Sequence, residues 1–158
     1  MPNHYVTKTT VGICVIAFLL TACSAAMKSL PVVSVYSSSQ CYESDKKIRK
    51  MEGMTGLLSF VGKRSANILG AKPVSVTEIN FETHNVYLVA MGMQPTVGYS
   101  VVVAGETAKL DGDTLILPVE FKTPREGSMQ AQMQTSPCVV ISLPKASYKR
   151  VLVSDLML

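Results

Sequence analysis

From Pro73 onward, short apolar runs recur between turn residues at intervals of roughly ten, a spacing that predicts β-strands. Val74–Phe81 is the first such run. The Thr83-His84-Asn85 turn leads to Val86–Met91, which is apolar on both faces. A strand of that kind is central, covered on one side by the core and on the other by loops or a partner. Gly92–Gly98 then turns the chain into Tyr99–Val103. Asp111-Gly112 is a hairpin signal, followed by Thr114–Phe121, where Leu115, Leu117, Val119 and Phe121 alternate inward. Pro118 has no N–H to give a ladder, so this strand belongs at an edge or carries a bulge. Met129, Ala131 and Met133 alternate with Gln130, Gln132 and Gln134, which predicts a half-buried strand over Ser128–Gln134. Cys138–Leu143 is the next strand, ended by Pro144, and Tyr148–Ser154 the last. The pattern predicts a mainly all-β fold, an antiparallel β-sandwich of immunoglobulin-like shape.

The stretch before Pro73 is less regular. Ile48, Met51, Met54 or Thr55, and Leu58 approximate helical spacing. Gly53, Gly56 and Gly62 each weaken a helix by about 1 kcal/mol relative to alanine, so a short helical or irregular segment is expected. The charges from Asp45 to Lys50 read as a solvated face.

The N-terminus changes the picture by giving an address. Val11–Leu20 is an apolar run too short for a spanning helix, which needs about 20 residues. It ends at Leu20-Thr21-Ala22-Cys23, the pattern of a bacterial lipoprotein signal, in which two small residues precede a cysteine that receives diacylglycerol. A short anchor or a plain secretory signal is the alternative. The expected organisation is a signal peptide over 1–22, lipidation of Cys23, a tether over 23–39 rich in Ser and Ala, within which Val32–Tyr36 is a candidate initial strand that would move the boundary, and a sandwich domain over 40–158. Ser24 rather than Asp after the cysteine favours the outer membrane, facing the periplasm.

Charge and cysteine count add two constraints. A formal charge of +4, of which Lys8 leaves with the signal, and no Lys/Arg stripe argue against nucleic-acid binding. Of the four cysteines, Cys14 also leaves with the signal and Cys23 carries lipid. In an oxidising compartment the remaining Cys41 and Cys138 most simply form one disulfide; two reduced, buried thiols are the alternative.

Three turns in order carry a family resemblance: Met91-Gly92 leading to Pro95-Thr96-Val97-Gly98-Tyr99-Ser100, then Pro124 with Gly127, then Thr135-Ser136-Pro137-Cys138 running into Leu143-Pro144. From about residue 78 to 155 the chain resembles the protease complex subunit PrcB family of small, often lipidated, envelope proteins. The resemblance implies a non-enzymatic accessory or assembly subunit whose partner is a protein, an envelope protease or its assembly; it supplies no catalytic residues. Val97 departs from the family's turn, which usually reads Pro-Thr-Gly-Gly-Tyr. A β-branched residue resists positive φ, so any left-handed residue of this turn is expected at Gly98. The layout of Gln94–Tyr99 is also similar to the Asn-Pro-Thr-Thr-Gly-Tyr loop of chagasin-type cysteine-protease inhibitors, although that family's glycine-rich and Arg-Pro-Trp loops are not found. Inhibition is therefore the alternative function.

The remaining chemistry is sparse. A Ser/His/Asp arrangement would rest on His84, which sits in a turn, and no Gly-x-Ser-x-Gly elbow accompanies it. Asp111-Gly112-Asp113 lacks the further acidic ligands of a calcium loop. No His/Cys cluster has zinc spacing. Cys138 opens an apolar strand with no positive neighbour to lower its pKa. The expectation is a protein without enzymatic activity, metal or cofactor. Pro95, Thr96, Val97, Gly98 and Tyr99 form its candidate partner loop, and a purely architectural corner is the other reading of the same residues.

Overall fold

A computed structural model describes residues 28–65, 79–153 and 156–157. The signal segment, Cys23 and most of the strand expected at Val74–Phe81 lie outside the described residues. Within them the chain runs β1 (Lys28–Pro31), β2 (Val33–Ser38), β3 (Lys46–Met51), α1 (Gly53–Ser65), β4 (His84–Met91), β5 (Ser100–Val103), β6 (Thr107–Asp111), β7 (Thr114–Ile116), β8 (Val119–Lys122), β9 (Cys138–Pro144), β10 (Arg150–Val153) and β11 (Leu156–Met157).

The strands form a four-stranded antiparallel sheet in the order β2-β9-β4-β3, a five-stranded sheet in the order β1-β6-β7-β10-β11, and a β5-β8 pair. In the five-stranded sheet β7 and β10 pair in parallel, while its other pairs are antiparallel. The fold is mainly β and consistent with a sandwich, as expected.

Period-two alternation along β4 and β9 explains why both are apolar on both faces. Tyr87 and Val89 of β4, with Val139, Ile141 and Leu143 of β9, pack with Leu30, Ala108, Leu115, Leu117, Val119, Val151 and Val153. Their alternates, Val86, Leu88, Ala90, Cys138 and Val140, pack with Tyr36, Cys41, Met51 and the α1 residues Leu57, Phe60 and Val61. The second cover of the central strand is therefore a helix. Its apolar stripe is Leu57, Phe60 and Val61, at i, i+3 and i+4. Leu58, assigned to the stripe from sequence, is about half exposed, and Ile48 and Met51 belong to the strand before the helix.

Four further expectations are corrected. The stretch read as a tether is part of the fold from Lys28: β1 pairs with β6 and β2 with β9, and Leu30 and Tyr36 are buried. Ser128–Gln134 forms no ladder, and Met129 is fully exposed, because alternation alone gives a strand neither a neighbour nor a surface to cover. At the start of the β region, Phe81 opens a turn. The single edge or bulged strand expected over Thr114–Phe121 is instead two strands in different sheets, β7, which lies between β6 and β10, and β8, with Pro118 at the break. The chain leaves the five-stranded sheet at Leu117-Pro118 and enters the β5-β8 pair, while Leu115, Leu117 and Val119 stay buried in one core.

Candidate functional site

The candidate loop leaves the end of β4. Gly92 is required there: its φ is +80°, and a Cβ would lie 2.8 Å from the Lys46 backbone nitrogen and 2.9 Å from the Asp45 carbonyl carbon. Met93 N–H donates to the Ser44 carbonyl at 3.1 Å. Gln94 and Thr135 then exchange backbone hydrogen bonds of 2.7 and 3.0 Å, Thr135 Oγ1 donates to the Thr96 carbonyl at 3.0 Å, and Val97 N–H donates to the Ala131 carbonyl at 3.3 Å. The loop is thus strapped on one side to residues 131–135.

Gly98 is the left-handed residue of the turn, with φ of +95°, and Val97 is not among the described residues with positive φ. A Cβ at Gly98 would stand 2.7 Å from Gln130 Oε1 and 3.1 Å from Pro124 Cγ. Pro95 is exposed, and Thr96, Val97 and Tyr99 are half-buried. Tyr99 belongs to neither core cluster. Among the described residues its hydroxyl has no hydrogen-bonding partner.

Thr135-Ser136-Pro137-Cys138 is the hub that fixes this end of the sandwich. Thr135 holds the loop. Ser136 Oγ donates to the Glu43 carbonyl and accepts from Glu43 N–H, and the Ser136 backbone bonds Ser39 and Cys41. The Pro137 carbonyl accepts from Met91 N–H. Cys138 is joined to Cys41 with Cα atoms 5.9 Å apart, inside the usual disulfide range. Four consecutive residues tie residues 39–43 to residues 91–96.

Clamping has a visible consequence at Tyr42. Cys41 and Glu43 are both fixed to Ser136, and Tyr42 between them takes φ of +55° and turns its ring outward, 54% exposed. Left-handed backbone costs a non-glycine residue roughly 1–2 kcal/mol and merits a functional question. Met93, Met129 and Met133 are also exposed. The segments that meet at the loop therefore present one tyrosine and three methionines to solvent.

Residues 86–144 match a family model described as PrcB C-terminal. This segment is a PrcB C-terminal-like domain. It lies inside the 78–155 stretch that carries the resemblance, and it runs from the central strand β4 to its neighbour β9. No curated protein and no solved structure matches the chain. The PrcB C-terminal-like segment contains the whole candidate loop and the hub, while Cys41, Tyr42 and Glu43, which the hub holds, come from outside it.

His84, the histidine weighed for catalysis, stands at the opposite end of β4 from the loop, with Nδ1 2.9 Å from Thr83 Oγ1. Asp113 faces Arg150, whose guanidinium hydrogen bond holds the carboxyl below its usual range. The Asp111-Gly112 turn is the expected β6–β7 hairpin. The structural parts of Thr135, Ser136 and Tyr42 were not read from sequence; the Thr-Ser-Pro-Cys run was visible, but its partners were not.

Proposed function

We propose that the protein is a non-enzymatic, lipid-anchored envelope protein, held by Cys23 in the outer membrane and acting as an accessory subunit of a protease complex. The PrcB C-terminal-like domain supports the protease-complex association. One observation carries the site: the Gln94–Tyr99 loop is strapped to residues 131–135 on one side, while the half-buried Tyr99 has no hydroxyl partner among the described residues and Met93 and Met133 remain exposed. A preorganised loop loses little freedom on binding, and flexible methionines adapt to an apolar partner surface.

The test is affinity co-purification of the lipidated protein from its native membranes, with a folded Thr96→Ala/Tyr99→Ala variant alongside. Recovery of an envelope protease with the wild type and its loss with the variant is the expected result. Equal recovery with both would remove the loop from the interface. Recovery of no protease with either would remove the accessory-subunit reading.

A further inference from the structure

Ser142 interrupts the apolar pattern of β9. Cys138 and Val140 of that strand belong to the core cluster around α1, and two positions further on, the same face carries a serine. Its ladder neighbours are Val33 of β2 and Val86 of β4. Ser142 is only 5% exposed, and its hydroxyl has no hydrogen-bonding partner among the described residues. Buried hydroxyls are nearly always bonded, because leaving one unpaired is costly.

This serine lines a hollow of about 170 Å³ between β2 and residues 79–84. Val33, Val35 and Ile79 give the hollow an apolar wall, while Ser34, Asn80 and His84 add polar groups to that of Ser142. Asn80 Oδ1 accepts from the Glu82 N–H at 2.8 Å, and His84 Nδ1 lies 2.9 Å from Thr83 Oγ1. The Asn80 side-chain N–H groups and His84 Nε2 are left over for a ligand. Among the described residues no carboxylate, lysine or arginine lines the hollow; Lys50, Glu52 and Lys145 line a separate one that shares His84.

We propose that this hollow binds a small, uncharged carboxamide with a short branched aliphatic body. A carboxamide has two N–H donors and two carbonyl lone pairs, and the hydroxyls, amide and imidazole around it supply both kinds of partner. A carboxylate only accepts, and its charge would be buried without an ion pair. Val33, Val35 and Ile79 match a branched aliphatic group. A single water would also satisfy Ser142, but it needs only about 15 Å³ and gains nothing from three apolar side chains. The hollow is also smaller than the roughly 300 Å³ at which sites for drug-sized ligands begin, which sets the ligand's size. His84 stands at the opposite end of β4 from the 94–99 loop, so the site does not depend on the reading given to that loop.

The experiment uses the full chain in detergent and saturation-transfer NMR with isovaleramide, with detergent alone as the blank. Isovalerate, the charged isostere, is compared at neutral pH. Ser142→Ala removes the hydroxyl and should melt no lower than the wild type, since it deletes an unpaired buried group. Ser142→Val also fills the space with a residue suited to a strand. The expected results are saturable binding of isovaleramide to the wild type, at least about fivefold weaker binding to Ser142→Ala, and none to Ser142→Val. No saturable binding to the wild type, equal binding of isovalerate, or full affinity in folded Ser142→Ala would each overturn the proposal. A Ser142→Ala protein that melts lower than the wild type would do so too, because the hydroxyl would then already hold a partner.

Discussion

Ser136 Oγ donates to the Glu43 carbonyl at 2.8 Å and accepts from the Glu43 N–H at 2.9 Å, so one buried hydroxyl satisfies both backbone groups of a residue 93 positions away. This pair, beside the Cys41–Cys138 link, fixes the segment that carries Tyr42 to the segment that carries the loop-binding Thr135.

Ser136→Ala should therefore cost more than a single neutral hydrogen bond. It leaves a buried donor and acceptor of Glu43 unpaired, and each such group costs roughly 1–3 kcal/mol. The urea midpoint is expected to fall with an unchanged slope. A variant as stable as the wild type would contradict the clamp.

Replacing Cys41 and Cys138 by alanine should lower stability by up to about 4.7 kcal/mol, the chain-entropy figure for a loop near 100 residues; their separation is 97. Alkylation of the unreduced, denatured protein should label neither residue. Labelling of both would show that the thiols are free.

Gly92 and Gly98, the left-handed glycines at the loop, should differ in cost. Alanine at Gly92 would press on the backbone of residues 44–46, whereas at Gly98 it meets the movable Gln130 side chain and Pro124. Gly92→Ala should destabilise more than Gly98→Ala, and Gln130→Ala should recover part of the Gly98→Ala loss. Thermal melts of the four proteins decide it; equal costs would contradict the contacts.

Alkaline stability reports on the Asn85–Tyr148–Tyr87 network. Tyr87 is buried, its hydroxyl is 2.7 Å from that of Tyr148, and Asn85 Nδ2 donates to Tyr148. Burial first, then the Tyr148 hydrogen bond, pushes the Tyr87 phenol well above its usual value. A folded-state pKa raised above the unfolded one adds stability that is complete below the unfolded value near 10 and is lost as pH rises beyond it. Stability should thus fall above about pH 10, and Tyr87→Phe should make that fall shallower. An identical slope in the variant would contradict the assignment.

Much of this arrangement is legible in the sequence. Val86–Met91 announced a central strand because it is apolar at both parities, Asp111-Gly112 announced a hairpin, and a β-branched Val97 beside a glycine placed the left-handed residue at Gly98. What escaped was long-range. Nothing local tells Ser136 that its partner is Glu43, or Gln130 and Ala131 that they face a loop more than thirty positions back. Met129 and Met133 followed the strand period without a strand to join. In α1 the glycines mask the phase, so that the sequence pattern points to Leu58 as the buried residue where the fold buries Leu57.

The central claim is that the Gln94–Tyr99 loop meets a protein partner, and photo-crosslinking in native membranes tests it most directly. A photoreactive residue would replace Tyr99 in one sample, Met133 in a second, and Glu82, exposed in the turn before the opposite end of β4, in a third. The account predicts one common crosslinked protease partner from positions 99 and 133 and none from 82. Crosslinks of equal yield from all three positions, or none from 99 and 133 in a correctly folded protein, would contradict it.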